Sequence, residues 1–146
     1  MNAYCLEDLF VGMKESFETQ ITQKLMDLFS EVSGDNNPLH LDEAYAKSQG
    51  FNDRVAYGLL TTSFYSRLAG VHLPGKYCLL HSIETTFLKP AYIGDRLLVS
   101  GEISHINEAF GQVELKASIF QINGGGELIK ISKAKIKLGV LQCNKM

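Results

Sequence analysis

A chain of 146 residues, 45% of them hydrophobic and 21% charged, has the size and make-up of one globular domain with a real core. A net charge of −2 argues against nucleic acid or an acidic membrane surface as the main partner. Cys5, Cys78 and Cys143 are odd in number, far apart and without metal-ligand spacing, so they read as free thiols in a reducing compartment. Met1 to Phe10 carries Glu7 and Asp8 and lacks a basic start followed by an apolar run, which argues against a signal peptide. The longest apolar stretch, Val55 to Leu73, includes Arg67, His72 and several hydroxyls and suits a buried helix better than a membrane span. A cytoplasmic protein is expected.

A short strand is expected around Lys14 to Glu18. The series Ile21, Leu25, Leu28, Phe29 and Val32 then has helical spacing, and Gly34 is placed to end that helix. A short helix from about Asp42 to Gln49 stops at Gly50. A second helix opens near Gly58 and runs to Leu68, ending at Ala69-Gly70, with apolar residues on nearly every face. From Tyr77 onward the pattern becomes strand-like, over Leu79 to Leu88, Arg96 to Ile106, Gln112 to Ile122 and Glu127 to Leu138. Turn signals separate these runs: Pro90 with Gly94-Asp95, Asn107-Glu108 with Gly111, and Asn123-Gly124-Gly125-Gly126. With no repeat or linker, this describes a single α+β domain in which a buried helix precedes a mostly antiparallel sheet.

The most informative stretch is Gly34-Asp35-Asn36-Asn37-Pro38-Leu39-His40. Pro38 fixes its own φ and pushes Asn37 out of the α region, so the segment is a stiffened polar loop rather than helix. Such a loop can aim a carboxylate and an imidazole at one water and activate it by general acid–base chemistry. The competing reading is local: Asp35 caps the following turn and His40 is a surface residue.

These residues, in order with others, resemble the MaoC-like hydratases, and especially the (R)-specific enoyl-CoA hydratases. The resemblance rests on Ser33-Gly34-Asp35-x-Asn37-Pro38-x-His40, Asp42, Phe51, Gly58-Leu59-Leu60, Leu73-Pro74-Gly75 and Phe87-x-x-Pro90-x-x-x-Gly94-Asp95. It covers roughly Leu9 to Leu138. It implies the hot-dog fold, a curved antiparallel sheet wrapped around a central helix. It also implies reversible hydration of trans-2-enoyl thioesters of CoA or an acyl carrier protein, without cofactor or metal, by a homodimer whose sheets join side by side or by a higher homo-oligomer. The sheet-edge pairing would cover a strand edge that is otherwise prone to association.

The resemblance assigns roles by position. Asp35 and His40 match the pair that binds the added water, and Gly58 matches a glycine whose N–H faces the thioester carbonyl. Ser66 matches a serine near the catalytic aspartate, while Asn37 and Pro38 match residues that shape the loop. One position departs: Tyr57 stands where the family usually has histidine, and a phenol there narrows the acyl pocket or contacts substrate differently. The chemistry is consistent with these roles, since hydration needs a base for water, an acid for C2 and a donor for charge growing on the thioester oxygen. A helix start supplies unpaired N–H groups for that last task, although a packing or capping glycine also explains Gly58. Ser66, eight residues beyond Gly58, lies roughly 12 Å away along a helix, too far to share its contact. Thr62 and Ser66 share one helix stripe, a polar patch or two hydroxyls bonded to the preceding turn.

Other residues read as background. His72, His81 and His105 are isolated, and Asp35, Asn37 and Asp42 lack the glycine and distal glutamate of a calcium loop. Gly124 to Gly126 reads as a hairpin turn. Lys133, Lys135 and Lys137 form a solvated strand face, or one that meets a phosphorylated carrier. Two other functions fit the fold: a non-catalytic acyl-thioester or acyl-carrier binding module, and a thioesterase.

Overall fold

Four long strands and one short one make a single antiparallel sheet in this computed structural model, which describes residues 1–144. They are β1 (Lys14–Gln20), β2 (Cys78–Phe87), β3 (Arg96–Asn107), β4 (Gln112–Ile122) and β5 (Leu128–Val140), in the order β1-β3-β4-β5-β2. Inward residues alternate along them: Leu97, Val99, Ile103, Val113, Leu115, Ile119, Ile136 and Leu138 are buried, with lysines and glutamates opposite. The register slips at three places, two of them between Leu80 and Ser82 and between Ile103 and His105. At the third, pairing shifts between Ile119 and Phe120, leaving Ile131 without an opposite residue, so Ile131 and Ser132 are both buried.

The helices precede and cross this sheet: α1 (Gln23–Ser33), α2 (Pro38–Leu41), α3 (Glu43–Ser48) and α4 (Gly58–Arg67). Thr22 caps α1 by accepting from the Leu25 N–H, and Gly34 closes it in the left-handed conformation at φ 70°. Asp42 caps α3 in the same way through the Tyr45 N–H. The central helix α4 buries Leu60, Thr61, Phe64 and Tyr65 against the concave side of the sheet. It continues past its expected end as one wider turn, Leu68–His72. A row of small residues, Gly101, Ala117 and Ala134, crosses three paired strands and admits Leu68; a Cβ at Gly101 would sit 2.7 Å from its Cδ2. A curved antiparallel sheet wrapped on a central helix is the expected hot-dog arrangement.

The core holds one deliberate polar pair. The Tyr65 hydroxyl and Ser132 Oγ lie 2.7 Å apart, and both residues are buried. Burial pushes the Tyr65 phenol up to about 12. Because the folded state holds this proton longer than the unfolded chain, stability falls as pH rises from about 10 towards 12. Tyr65→Phe removes that alkaline sensitivity and strands the Ser132 hydroxyl, lowering stability by about 1–3 kcal/mol in denaturant titrations near neutrality.

The cysteines require a correction. Cys5 and Cys143, expected as free thiols, form a disulfide with Cα atoms 5.7 Å apart, while Cys78 is free and burial pushes its thiol up. Both ends of the chain dock on the end of the wide turn and the segment after it. The Asn2 N–H donates to Val71 O, the Tyr4 N–H to Pro74 O and the Leu141 N–H to Tyr77 O. Gly75, at φ 85°, lets the first of these strands approach: a Cβ there would lie 2.2 Å from Asn2 O. Spacing along the chain contains no trace of a meeting made by two termini on a common strip. Among the described residues, no helix is long and apolar enough to cross a membrane.

Candidate active site

The loop after Gly34 is built from short-range bonds that leave its chemistry pointing one way. Ser33 Oγ accepts from the Asp35 N–H at 3.1 Å, Asp35 Oδ1 from the Asn37 N–H at 3.0 Å and Asn37 Oδ1 from the Leu39 N–H at 3.0 Å. Pro38 occupies the first position of α2, where its missing N–H costs nothing, and that turn carries His40. The local and the catalytic readings of Asp35 are therefore compatible. One carboxylate oxygen shapes the loop, and the other, Oδ2, faces His40 Nε2 across 4.0 Å.

That gap is too wide for a direct hydrogen bond and suits a bridging water. The imidazole is oriented from behind: Nδ1 lies 2.7 Å from the Val55 carbonyl, which can only accept, so Nδ1 carries hydrogen. In the neutral ring the Nε2 lone pair then looks into the gap. The Val55 N–H returns a bond to Leu39 O at 3.1 Å, and the Ala56 N–H bonds Ala91 O at 2.7 Å, so the strap carrying this carbonyl is tied at both sides. His40 is largely covered, whereas nearly half of the Asp35 side chain is open to solvent.

His40 and Gly58 line the same cavity, about 410 Å³, together with Phe51, Thr61, Phe87 and Ile131 among others. Such a volume falls in the range of small-molecule sites. Its walls are mostly apolar, and among the described residues lining it Lys89 carries the one fixed charge. Gly58 opens α4, so its N–H belongs to the first-turn donors that the helix itself cannot pair. The Phe87 ring lies over it: a Cβ at Gly58 would sit 2.8 Å from Phe87 Cζ.

The remaining candidates are distributed differently. Tyr57 is 1% exposed and lies beneath the dyad rather than along the cavity wall. Thr62 bonds the Gly58 carbonyl one turn earlier, at 3.0 Å, as its helical position allows. Ser66 is exposed two turns beyond Gly58 and is not brought to the cavity. Asn37 serves the loop and not the cavity lining. Sequence reading did not single out Val55, whose contribution is a main-chain carbonyl, a group every residue has. His81 and His105, isolated along the chain, line one pocket with Glu114, but no cluster of metal-ligating side chains occurs among the described residues.

Comparison with known proteins places the chain in a family. The profile of the MaoC like domain matches residues 11–122. A 3-hydroxybutyryl-CoA dehydratase of Methylorubrum extorquens is 36% identical over 100 residues, 68% of this chain and 64% of that one. The chain thus spans just under two thirds of that relative's length. It covers 99% of an (R)-specific enoyl-CoA hydratase of Aeromonas caviae, with 32% identity over 138 residues, 94% of this chain. The unliganded R-hydratase of Pseudomonas aeruginosa superimposes with a TM-score of 0.85 at 27% identity, covering 95% of this chain and 86% of that one. With its family profile matched from β1 through β4, the central helix and the Asp35–His40 loop included, this chain belongs to the MaoC-like dehydratase domain family.

Proposed function

We propose that the protein reversibly hydrates trans-2-enoyl thioesters, carried on CoA or an acyl carrier protein, to (R)-3-hydroxyacyl thioesters. The observation that carries this reading is the 4.0 Å gap between Asp35 Oδ2 and His40 Nε2, with His40, though not Asp35, lining the cavity at the start of α4. Water held there loses a proton to the pair as its oxygen bonds C3. The π electrons move through C2 onto the thioester oxygen, which accepts from the Gly58 N–H. Collapse of that enolate takes a proton at C2 from the pair, which returns to its starting state. Both groups face the one water, so the base is the pair and not either side chain alone. Purified protein converts crotonyl-CoA to its 3-hydroxy product and reaches the same equilibrium from the product side. Release of free thiol would instead make it a thioesterase, and protection of bound thioester without turnover a binding module.

Gly58→Ala keeps the N–H but pushes on Phe87. Since that ring is half exposed it yields into the cavity rather than unfolding the chain. KM for a short enoyl thioester rises by about tenfold, with the melting temperature nearly unchanged.

The same proposal includes a homodimer joined along β2, the outer strand on that side of the sheet. Leu79 and Leu80 on this edge are exposed apolar residues of a kind that a second strand would cover. Light scattering should give twice the chain mass, and charged residues at both positions should halve it. A cytoplasmic setting also belongs here; alkylating thiols at lysis tells whether Cys5 and Cys143 are joined in the cell, where such bonds are uncommon.

A further inference from the structure

We infer that Tyr57 is a positioning residue that clamps the catalytic loop and seats the imidazole, an inference that rests on the hydration reading above. Its hydroxyl donates to the main-chain carbonyl of Asp35 at 2.7 Å, against 3.4 Å for the Ser30 hydroxyl at the same oxygen. Its ring lies 4.1 Å from the His40 ring, centre to centre, and 4.8 Å from Phe29. It also immediately precedes Gly58, so one side chain touches both members of the dyad from the residue that leads into the helix start.

The alternative is an ordinary core aromatic that has found a partner for its hydroxyl. The surroundings argue for more. Gly34 to Asn37 is exposed, and its other hydrogen bonds run to residues no more than five positions away. Among the described residues, the Tyr57 bond is the one hydrogen bond that fastens this loop to a distant part of the chain, 22 residues on. Without it the carboxylate rides on a solvated turn whose internal bonds set its shape but not its distance from His40. A displacement of about 1 Å at a reacting group can cost on the order of 10²-fold in rate.

Tyr57→Phe tests this because it deletes the clamp while leaving the ring against His40 and Phe29. Two measurements are paired: steady-state kinetics with crotonyl-CoA, and amide hydrogen exchange at Asn37, whose N–H is held by Asp35 Oδ1. We expect kcat to fall by about 10–100-fold with KM within about twofold, and Asn37 exchange to accelerate. The melting temperature should barely move. Unchanged kcat, unchanged exchange, or a KM that rises in step with the loss of kcat would each overturn the inference. Should the wild type turn over no enoyl thioester, the hydration reading fails separately, and the exchange rate alone decides whether the phenol holds the loop.

Discussion

Asp35→Asn and His40→Ala each lower kcat for enoyl thioester hydration by about 10²–10⁴-fold, with KM changed far less. The asparagine variant is the cleaner of the two. Its Oδ1 can still accept from the Asn37 N–H, so the loop keeps its shape while the charge facing His40 disappears. His40→Ala removes the lone pair aimed by the Val55 carbonyl. Because both groups act on one water, the double variant should be scarcely slower than the worse single one. Thioester disappearance and chromatography of the 3-hydroxy product measure the rates. Multiplying losses in the double variant would mean that the two side chains act on different atoms, and the shared-water geometry would have to be abandoned.

The second large effect is on stability. The Cys5–Cys143 bond closes nearly the whole chain, with a sequence separation of 138. Loop-closure entropy for a ring of that size gives a stabilisation approaching about 5 kcal/mol, and native disulfides typically contribute about 2–4 kcal/mol. Reduction should therefore lower the melting temperature by about 10 °C for a domain of this length. A variant with Cys5→Ser and Cys143→Ser should start from the lower temperature and ignore reductant, Cys78 being outside the pair. Equal melting temperatures with and without reductant would mean that the hydrogen bonds to Val71, Pro74 and Tyr77 hold the termini unaided.

Several elements were legible because their causes are local. Gly34 ends α1 since only glycine enters the left-handed region there freely, and β4 spans the expected Gln112–Ile122 because turn residues bound an alternating run on both sides. The loop's polar spacing revealed Asp35 and His40 for the same reason: Pro38 and Asn37 shape it within a few residues. The family resemblance pointed to Gly58, which lies at the start of α4 and lines the cavity. It pointed equally to Ser66, which the structure leaves on the far, exposed part of that helix.

By itself, then, the chain's residue order determined the long helices and the strands, the inward face of most of the sheet, and the two titratable groups of the loop, but not the helical turn Pro38–Leu41 that stands where loop was expected. Tertiary structure alone decided that the Val55 carbonyl orients His40, that Tyr57 lies under both Asp35 and His40, that Ile131 bulges, and that Cys5 meets Cys143. The division follows sequence distance. Caps, turns and alternation are set by neighbours, whereas a carbonyl, a phenol or a thiol acquires its partner only when the folded sheet brings remote segments onto the same strip of backbone.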